Sequence, residues 1–192
     1  ISNIEVLRYF LKRIMSNLTK PTSIRGIHGD IKSRGLKISK DTLYDWADYA
    51  CNIFLFIRVS NYSRSLQKTE NSLPKYYCID NGMRDAVLLP QSNDNGKKLE
   101  NTVLLQLYRM LSPMDKIFYF SGNGECDFVV QRGIEISQLI QVSWNIDDEE
   151  TRIREINGLV EASDATGCNS LYIITADTYM ELSTPDGRNI HV

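Results

Sequence analysis

The chain has 192 residues, of which 42% are hydrophobic and 24% charged, close to the averages of globular proteins. It contains no apolar run of the roughly 18 residues that a membrane-spanning helix requires, so no membrane partner is expected. The Cys residues form no CxxC pair, which disfavours the usual zinc and disulfide frameworks. The cytoplasm is therefore the expected compartment.

The formal net charge of −2 is unevenly divided along the chain. Residues 1–78 carry 13 Lys and Arg against 6 Asp and Glu, a net charge of +7, whereas residues 79–192 carry 9 against 18, a net charge of −9. This division predicts two modules, of which the basic one is the candidate for binding a polyanion. The alternative is that the two halves attract each other or have differently solvated faces.

Three helices are predicted at the start of the chain. Apolar residues at helical spacing indicate an amphipathic helix over residues 3–17. A second helix is expected over residues 23–34, where Gly35 ends it. A third begins at Ser39, a favoured N-cap residue, and extends to about residue 52.

Two strand-like runs follow, FLFIRVS (residues 54–60) and PKYYCID (residues 74–80), with a polar stretch between them. Three helices and a β-hairpin with a long tip predict a winged helix-turn-helix domain over residues 1–80. The candidate nucleic-acid-binding residues are the basic ones of the turn and the wing, namely Arg34, Lys37, Lys40, Arg58, Arg64, Lys68 and Lys75.

The third helix argues against sequence-specific reading of DNA, because its exposed face is expected to carry Asp41, Asp45 and Asp48. Carboxylates in a major groove face phosphates and repel them. The basic module is therefore expected to contact the backbone of duplex DNA through Lys and Arg, which position a protein without specifying bases. Docking of a protein partner is the competing interpretation.

The acidic half has α/β character. The predicted elements are a short helix (82–89), a loop (91–97), a helix (98–111), three strands (116–121, 125–131 and 138–144), a helix (147–164) and a strand (170–176). The inner faces of the two long helices are expected to consist of Leu99, Val103, Leu107 and Met110, and of Ile153, Ile156, Leu159 and Val160. The last strand is nearly continuously apolar, which is typical of the middle of a sheet.

Four segments carry a resemblance to a known group of proteins: PKYYCIDNGM, GKKLENTVLLQLYRM, GECDFVVQ and QLIQVSW. Their order resembles the C-terminal part of prokaryotic AAA+ family ATPases, in which a P-loop ATPase module precedes a winged helix and a restriction-endonuclease-like, PD-(D/E)xK-type domain. The resemblance implies an α/β (α+β) fold, with a winged helix over residues 1–80 and a restriction-endonuclease-like α/β sandwich over residues 81–192.

The P-loop motif GxxxxGK[ST] is absent from the chain, so nucleotide binding of that type is excluded here. The resemblance therefore implies that the chain is an excised C-terminal portion of a longer protein. ATP is expected only for the missing N-terminal module.

The resemblance also implies a nuclease-like site. In active nucleases of this fold, a helix Glu, a strand Asp and a following (Asp/Glu)-x-Lys triplet hold Mg²⁺ and a water molecule, and these positions match Glu100, Asp127, Gln141 and Ser143. The last two depart from the pattern. Mg²⁺ binds through carboxylates and must activate the attacking water, whereas Gln141 offers a neutral carbonyl and Ser143 offers no cation.

The candidate metal ligands are Glu100, Asp127 and, as a weaker substitute, Glu125, which shares a strand face with Asp127 at a period of two. Lys97 and Lys98 are conceivable replacements for the missing lysine, although such sites need their groups placed closely. The alternative is that Glu125 and Asp127 form a polar edge that pairs with Arg132 or a backbone N–H. No cofactor is expected in this fragment, and Mg²⁺ is expected to bind weakly.

Two functional hypotheses remain. The first is a regulatory region of an AAA+ type ATPase that binds DNA, a protein partner or its own ATPase module, with an inactive nuclease-like domain as a scaffold. The alternative is an atypical Mg²⁺-dependent DNA nuclease.

Overall fold

The computed structural model describes residues 3–88, 95–184 and 186–192. These residues have a mixed α/β structure, in which most strand pairs are antiparallel. In chain order the elements are α1 (Ile4–Ser16), α2 (Ile24–Ser33), α3 (Lys40–Asn52), β1 (Phe56–Asn61), α4 (Leu66–Glu70), β2 (Lys75–Cys78), α5 (Asn81–Val87), α6 (Asn95–Met110), β3 (Lys116–Ser121), β4 (Glu125–Arg132), β5 (Glu135–Val142), α7 (Glu149–Thr166), β6 (Leu171–Ile174), β7 (Glu181–Ser183) and β8 (Asn189–His191).

The chain divides into two compact units. Unit 1 comprises Ile1–Val59 and Leu73–Gln91, and unit 2 comprises Ser60–Ser72 and Ser92–Val192. This division differs from the predicted boundary after residue 80. The tip of the hairpin belongs to unit 2 because the last two residues of β1 pair with β3, and α5 belongs to unit 1 because it packs against β2.

Unit 1 begins with the three predicted helices, and their bounds lie within two residues of the expected ones. The hydroxyl oxygens of Ser23 and Ser39 each accept a hydrogen bond from a backbone N–H in the first turn of the following helix, at 3.0 Å. Such caps satisfy N–H groups that a helix leaves without intrahelical partners. Phe10 from α1 packs with Phe56 and Tyr76 from the hairpin in one buried core.

The hairpin of unit 1 is antiparallel, from the pair Phe56↔Cys78 to the pair Val59↔Lys75. Strand β1 begins two residues later than predicted, because Phe54 has a φ of +58°, outside the β region. Lys75 is only 1% exposed, so its expected place among the surface residues of a wing is wrong. The polar connection also contains α4, a one-turn helix that the sequence pattern did not indicate.

Unit 2 contains the predicted antiparallel meander of β3, β4 and β5. Strand β6 then pairs in parallel with β5 after the long helix α7. The far side of β6 pairs with β8, which forms an antiparallel pair with β7, so β6 is an interior strand, as its apolar sequence predicted. The strands β7 and β8 have three residues each, too short for a recognisable period.

The buried faces of the two long helices differ from the expected ones. Met110 of α6 is 70% exposed and Ile153 of α7 is 49% exposed. The buried positions of α7 include Glu155, Gly158 and Leu159. The prediction assigned the large apolar residues at helical spacing to the buried face. In the structure, α7 packs against the sheet largely through small and polar residues.

A close backbone approach sets the position of α7. A Cβ atom added to Gly158 would lie 2.1 Å from the backbone oxygen of Glu125, so only glycine allows this contact. The carboxylate of Glu161, three residues further on, accepts hydrogen bonds from the backbone N–H groups of Asn123 and Gly124. These contacts fix the start of β4 against α7.

The predicted loop over residues 91–97 lies partly outside the described residues, and its last three residues are the first turn of α6. The predicted short helix corresponds to α5, which Asp80 caps. None of the described helices combines the length and the apolar character needed to cross a membrane.

The contact between Gly158 and Glu125 gives a stability prediction. Gly158→Ala must push α7 away from β4, and we expect it to reduce the free energy of unfolding by at least about 2 kcal/mol, as overpacking does. Gly96→Ala is the matched control in unit 2, because no described atom lies within 4 Å of the added Cβ. Urea denaturation followed by circular dichroism measures both variants. Equal stability of the two variants would contradict the assigned contact.

Candidate functional site

Asp127 and Gln141 lie on the neighbouring strands β4 and β5, next to the registered pair Phe128↔Ile140. The backbone N–H of Asp127 donates to Oε1 of Gln141 at 3.0 Å. The backbone N–H of Val142 donates to Oδ2 of Asp127, also at 3.0 Å. Asp127 is 7% exposed and Gln141 is 6% exposed, so these two predicted site residues form part of a buried polar network.

The other end of the Gln141 amide contacts helix α7. Its Nε2 atom donates to Oε2 of Glu155, a residue that is 4% exposed. Both ends of the amide are therefore used within the protein: the oxygen accepts from β4 and the nitrogen donates to α7. A carboxylate only accepts hydrogen bonds, so a Glu in place of Gln141 would lack the donor that contacts Glu155.

Glu155 was not among the residues predicted from the sequence. Its burial was detectable in principle, because Glu155 precedes Leu159 by four residues and shares its helix face. Leu159 was correctly expected to face the core and is fully buried. A carboxylate on the same helix face as a buried Leu indicates that the carboxylate has a polar partner on the sheet.

Arg154 supplies positive charge beside this network. Its Nη2 atom lies 2.6 Å from Oε1 of Glu155, and its side chain is 71% exposed. The hydrogen bond to Glu155, and then the charge of that carboxylate, raise the pKa of Arg154 above its ordinary value, and the charge of Asp127 adds to the effect. Because Arg stays protonated, Arg154 is suited to orient an anion and unsuited to deprotonate a water molecule.

The remaining triplet position, Ser143, has a structural contact. Its hydroxyl group donates to the backbone oxygen of Asn145 at 2.8 Å, and the residue is 9% exposed. The two conceivable replacements for the missing lysine, Lys97 and Lys98, lie half-buried in the first turn of α6. Position 143, for which the sequence resemblance implied a match to the lysine of active nucleases, carries a hydroxyl group engaged with the local backbone.

The other two candidate metal ligands lie on different elements. Glu100 is 8% exposed on α6, which packs against β5. Glu125 is exposed at the first position of β4. Among the residues that the structure describes, no group of three or more His, Cys, Asp or Glu side chains is placed to hold a metal ion.

The cationic candidates of unit 1 lie at and around the turn between α2 and α3. Arg34, Lys37 and Lys40 are all exposed there, and the Arg34 guanidinium lies 4.2 Å from the centroid of the Tyr9 ring. A cavity of about 450 Å³ at the same turn is lined in part by Lys32 and Lys37. The turn therefore presents a concave, cationic surface.

The other basic candidates are less favourably placed. Arg58 forms an ion pair with Asp48 at 2.8 Å, so part of its charge is balanced within unit 1. Arg64 and Lys68 are exposed, but their segment belongs to unit 2. Lys75 is buried and is removed from the set of surface cations.

Residues 1–94 match a domain of unknown function (DUF8612). An uncharacterized protein of Methanocaldococcus jannaschii is 33% identical over 165 residues, which cover 84% of this chain and 35% of the relative. An uncharacterized protein of Haemophilus influenzae is 23% identical over 192 residues, which cover 99% of this chain and 45% of the relative.

The chain thus spans less than half of the length of these two curated relatives. No solved structure matches the chain. The similarity to the Haemophilus influenzae protein extends over both units, whereas the domain of unknown function ends before α6.

Proposed function

We propose that the chain is a non-catalytic regulatory region of an AAA+ type ATPase. In this proposal unit 1 is a winged helix that binds DNA or a protein partner, and unit 2 is a PD-(D/E)xK-type domain whose nuclease-like site no longer cleaves. Two features support the fold assignment: unit 1 has three helices before a hairpin, and unit 2 has the order helix, meander, helix, parallel strand.

The ATPase context rests on the resemblance of the sequence segments and on the length of the relatives. Both curated relatives extend well beyond the matched region, which leaves room for a further module. A P-loop motif in the coding sequence upstream of Ile1 is the direct test of this context. In this proposal ATP binds to that module. The chain of 192 residues either responds to the conformation of the module or controls it.

The observation that carries the loss of catalysis is the double hydrogen bonding of the Gln141 amide. In an acid-x-lysine triplet this position supplies a charged ligand to Mg²⁺. Here a neutral amide connects the Asp127 backbone with the Glu155 carboxylate. Ser143 supplies no positive charge near the phosphate that would react. The site therefore lacks both a charged metal ligand and a cation that helps to activate water.

A plasmid-nicking assay tests the loss of catalysis. The wild-type chain is expected to leave supercoiled, linear and single-stranded DNA intact in the presence of Mg²⁺ or Mn²⁺. Asp127→Ala is the control for contamination, because a contaminating nuclease is unaffected by that change. Metal-dependent nicking by the wild type that disappears in Asp127→Ala would overturn the proposal and establish the alternative, an atypical Mg²⁺-dependent nuclease.

A DNA-backbone contact is favoured over sequence reading by the placement of charges in unit 1. Asp41 and Asp45 are exposed on α3, and the charge of Asp48 is partly balanced by Arg58. The cations of the α2–α3 turn instead lie beside a cavity. Phosphate contacts of this kind position a protein on DNA and carry no sequence information directly.

Fluorescence anisotropy with unrelated duplexes tests this contact. We expect weak binding without sequence preference, and the binding constant should fall steeply with salt because bound cations release counterions. Lys37→Ala should reduce the slope of log K against log salt by about one. Lys12→Ala, an exposed change of equal charge on α1, is the matched control. Absence of binding at low salt would favour protein docking instead.

A further inference from the structure

A cavity of about 430 Å³ opens at the ends of β6, β7 and β8, within unit 2. This volume lies in the range of small-ligand pockets. Part of its lining is aliphatic, with Ile173, Ile174 and Val192. The cavity is separate from the Asp127–Gln141–Glu155 network, because none of those residues lines it.

The polar lining of the cavity begins with a paired His and Glu. Nδ1 of His191 lies 2.7 Å from Oε1 of Glu181. Because a carboxylate only accepts, the imidazole donates from Nδ1, and in the neutral ring Nε2 is then an acceptor. The second oxygen of Glu181 is a further acceptor. The pair therefore presents a negative charge and acceptor atoms.

An aromatic ring packs on this pair. The ring of Tyr172 lies against His191 with a centroid separation of 5.3 Å and an interplanar angle of 31°. Tyr179, also in the lining, is 96% exposed. An almost fully exposed aromatic ring in the same lining as a carboxylate favours an organic cation, which the face of the ring attracts.

The hydroxyl groups of the lining threonines are used locally. Thr175 Oγ1 donates to the backbone oxygen of Thr178 at 2.9 Å and accepts from its N–H at 3.0 Å. Thr178 Oγ1 donates to Asp177 at 3.4 Å. Among the described lining residues none is Lys or Arg. The cavity therefore favours a ligand that is rich in donors and positively charged over an anion.

The net charge of unit 2 also favours a cationic ligand. Its residues, Ser60–Ser72 and Ser92–Val192, carry 10 Lys and Arg against 17 Asp and Glu, a net charge of −7. A nucleic acid brings phosphates that this field repels, whereas a cation is attracted to it.

We propose that this cavity binds an arginine side chain of another polypeptide. A guanidinium group has five N–H donors in a plane, stacks on aromatic rings and pairs with a carboxylate through two parallel hydrogen bonds. It matches the combination of Glu181, His191 and Tyr179 better than an ammonium group does. Free arginine fits less well, because its α-carboxylate would be repelled by the net negative charge of unit 2.

Two-dimensional ¹H–¹⁵N NMR titration of the 192-residue chain tests this proposal. The probe is N-acetyl-L-arginine amide, and N-acetyl-L-citrulline amide is its neutral counterpart. Arginine amide should shift the resonances of residues 172–181 and 191 in a saturable manner, with a Kd in the millimolar range. Citrulline amide should cause much smaller shifts. Equal shifts with both probes, or none with arginine amide, overturn the proposal.

Two exposed substitutions locate the interaction. Glu181→Gln should weaken binding of arginine amide about fivefold, as expected for an accessible ion pair. Tyr179→Ala should also weaken it, and its fold is checked by the unchanged resonances of β3, β4 and β5, which belong to the same unit. Glu135→Gln, an exposed change of equal charge at the start of β5, should have no effect. An equal loss in Glu135→Gln would show diffuse attraction and contradict the site.

Two further ligands test whether the guanidinium belongs to a polypeptide and whether the cavity binds a nucleobase instead. L-arginine should bind more weakly than N-acetyl-L-arginine amide, and equal binding contradicts the polypeptide origin. Adenosine should leave the resonances of residues 172–181 unchanged. Saturable shifts with adenosine but not with arginine amide would make this a nucleobase site and overturn the proposal.

Discussion

The buried carboxylate of Glu155 is the constraint on which the polar centre of unit 2 depends. A buried charge without partners costs several kcal/mol, and two donors meet it here: Nε2 of Gln141 and the Arg154 guanidinium. The amide oxygen of Gln141 in turn accepts from the Asp127 backbone. One side chain therefore connects β4, β5 and α7, and its chemistry must be that of an amide.

In the proposed function, this requirement makes a nuclease-like framework compatible with a loss of catalysis. An acidic residue at position 141 would place its carboxylate close to those of Glu155 and Asp127, and a cluster of three carboxylates needs a cation to be stable. Gln141 removes that need, because it neutralises the position and supplies a donor. In the proposed function the framework is stable without metal, and Gln141 takes the place of a ligand that catalysis needs. Regulation or partner binding is the role that we propose for the domain.

The sequence predicted the parts of the fold that local patterns determine. Apolar spacing and the cap at Ser39 predicted the helices of unit 1, and the strands that carry Asp127 and Gln141 were also predicted. It failed where tertiary contacts override such patterns. Gly158 faces the sheet because of a close backbone approach, which no periodicity reveals. Lys75 is buried although its charge suggested a surface position.

Calorimetric titration of Mn²⁺ into the wild type and Gln141→Glu tests the central claim most directly, with Gln138→Glu on the same strand as a control of equal charge. If the Gln141 amide replaces a metal ligand, Gln141→Glu should bind Mn²⁺ at least about tenfold more tightly than the wild type, since hard cations prefer carboxylate oxygens, and Gln138→Glu should resemble the wild type. Equal Mn²⁺ affinity in the wild type and Gln141→Glu would contradict the account.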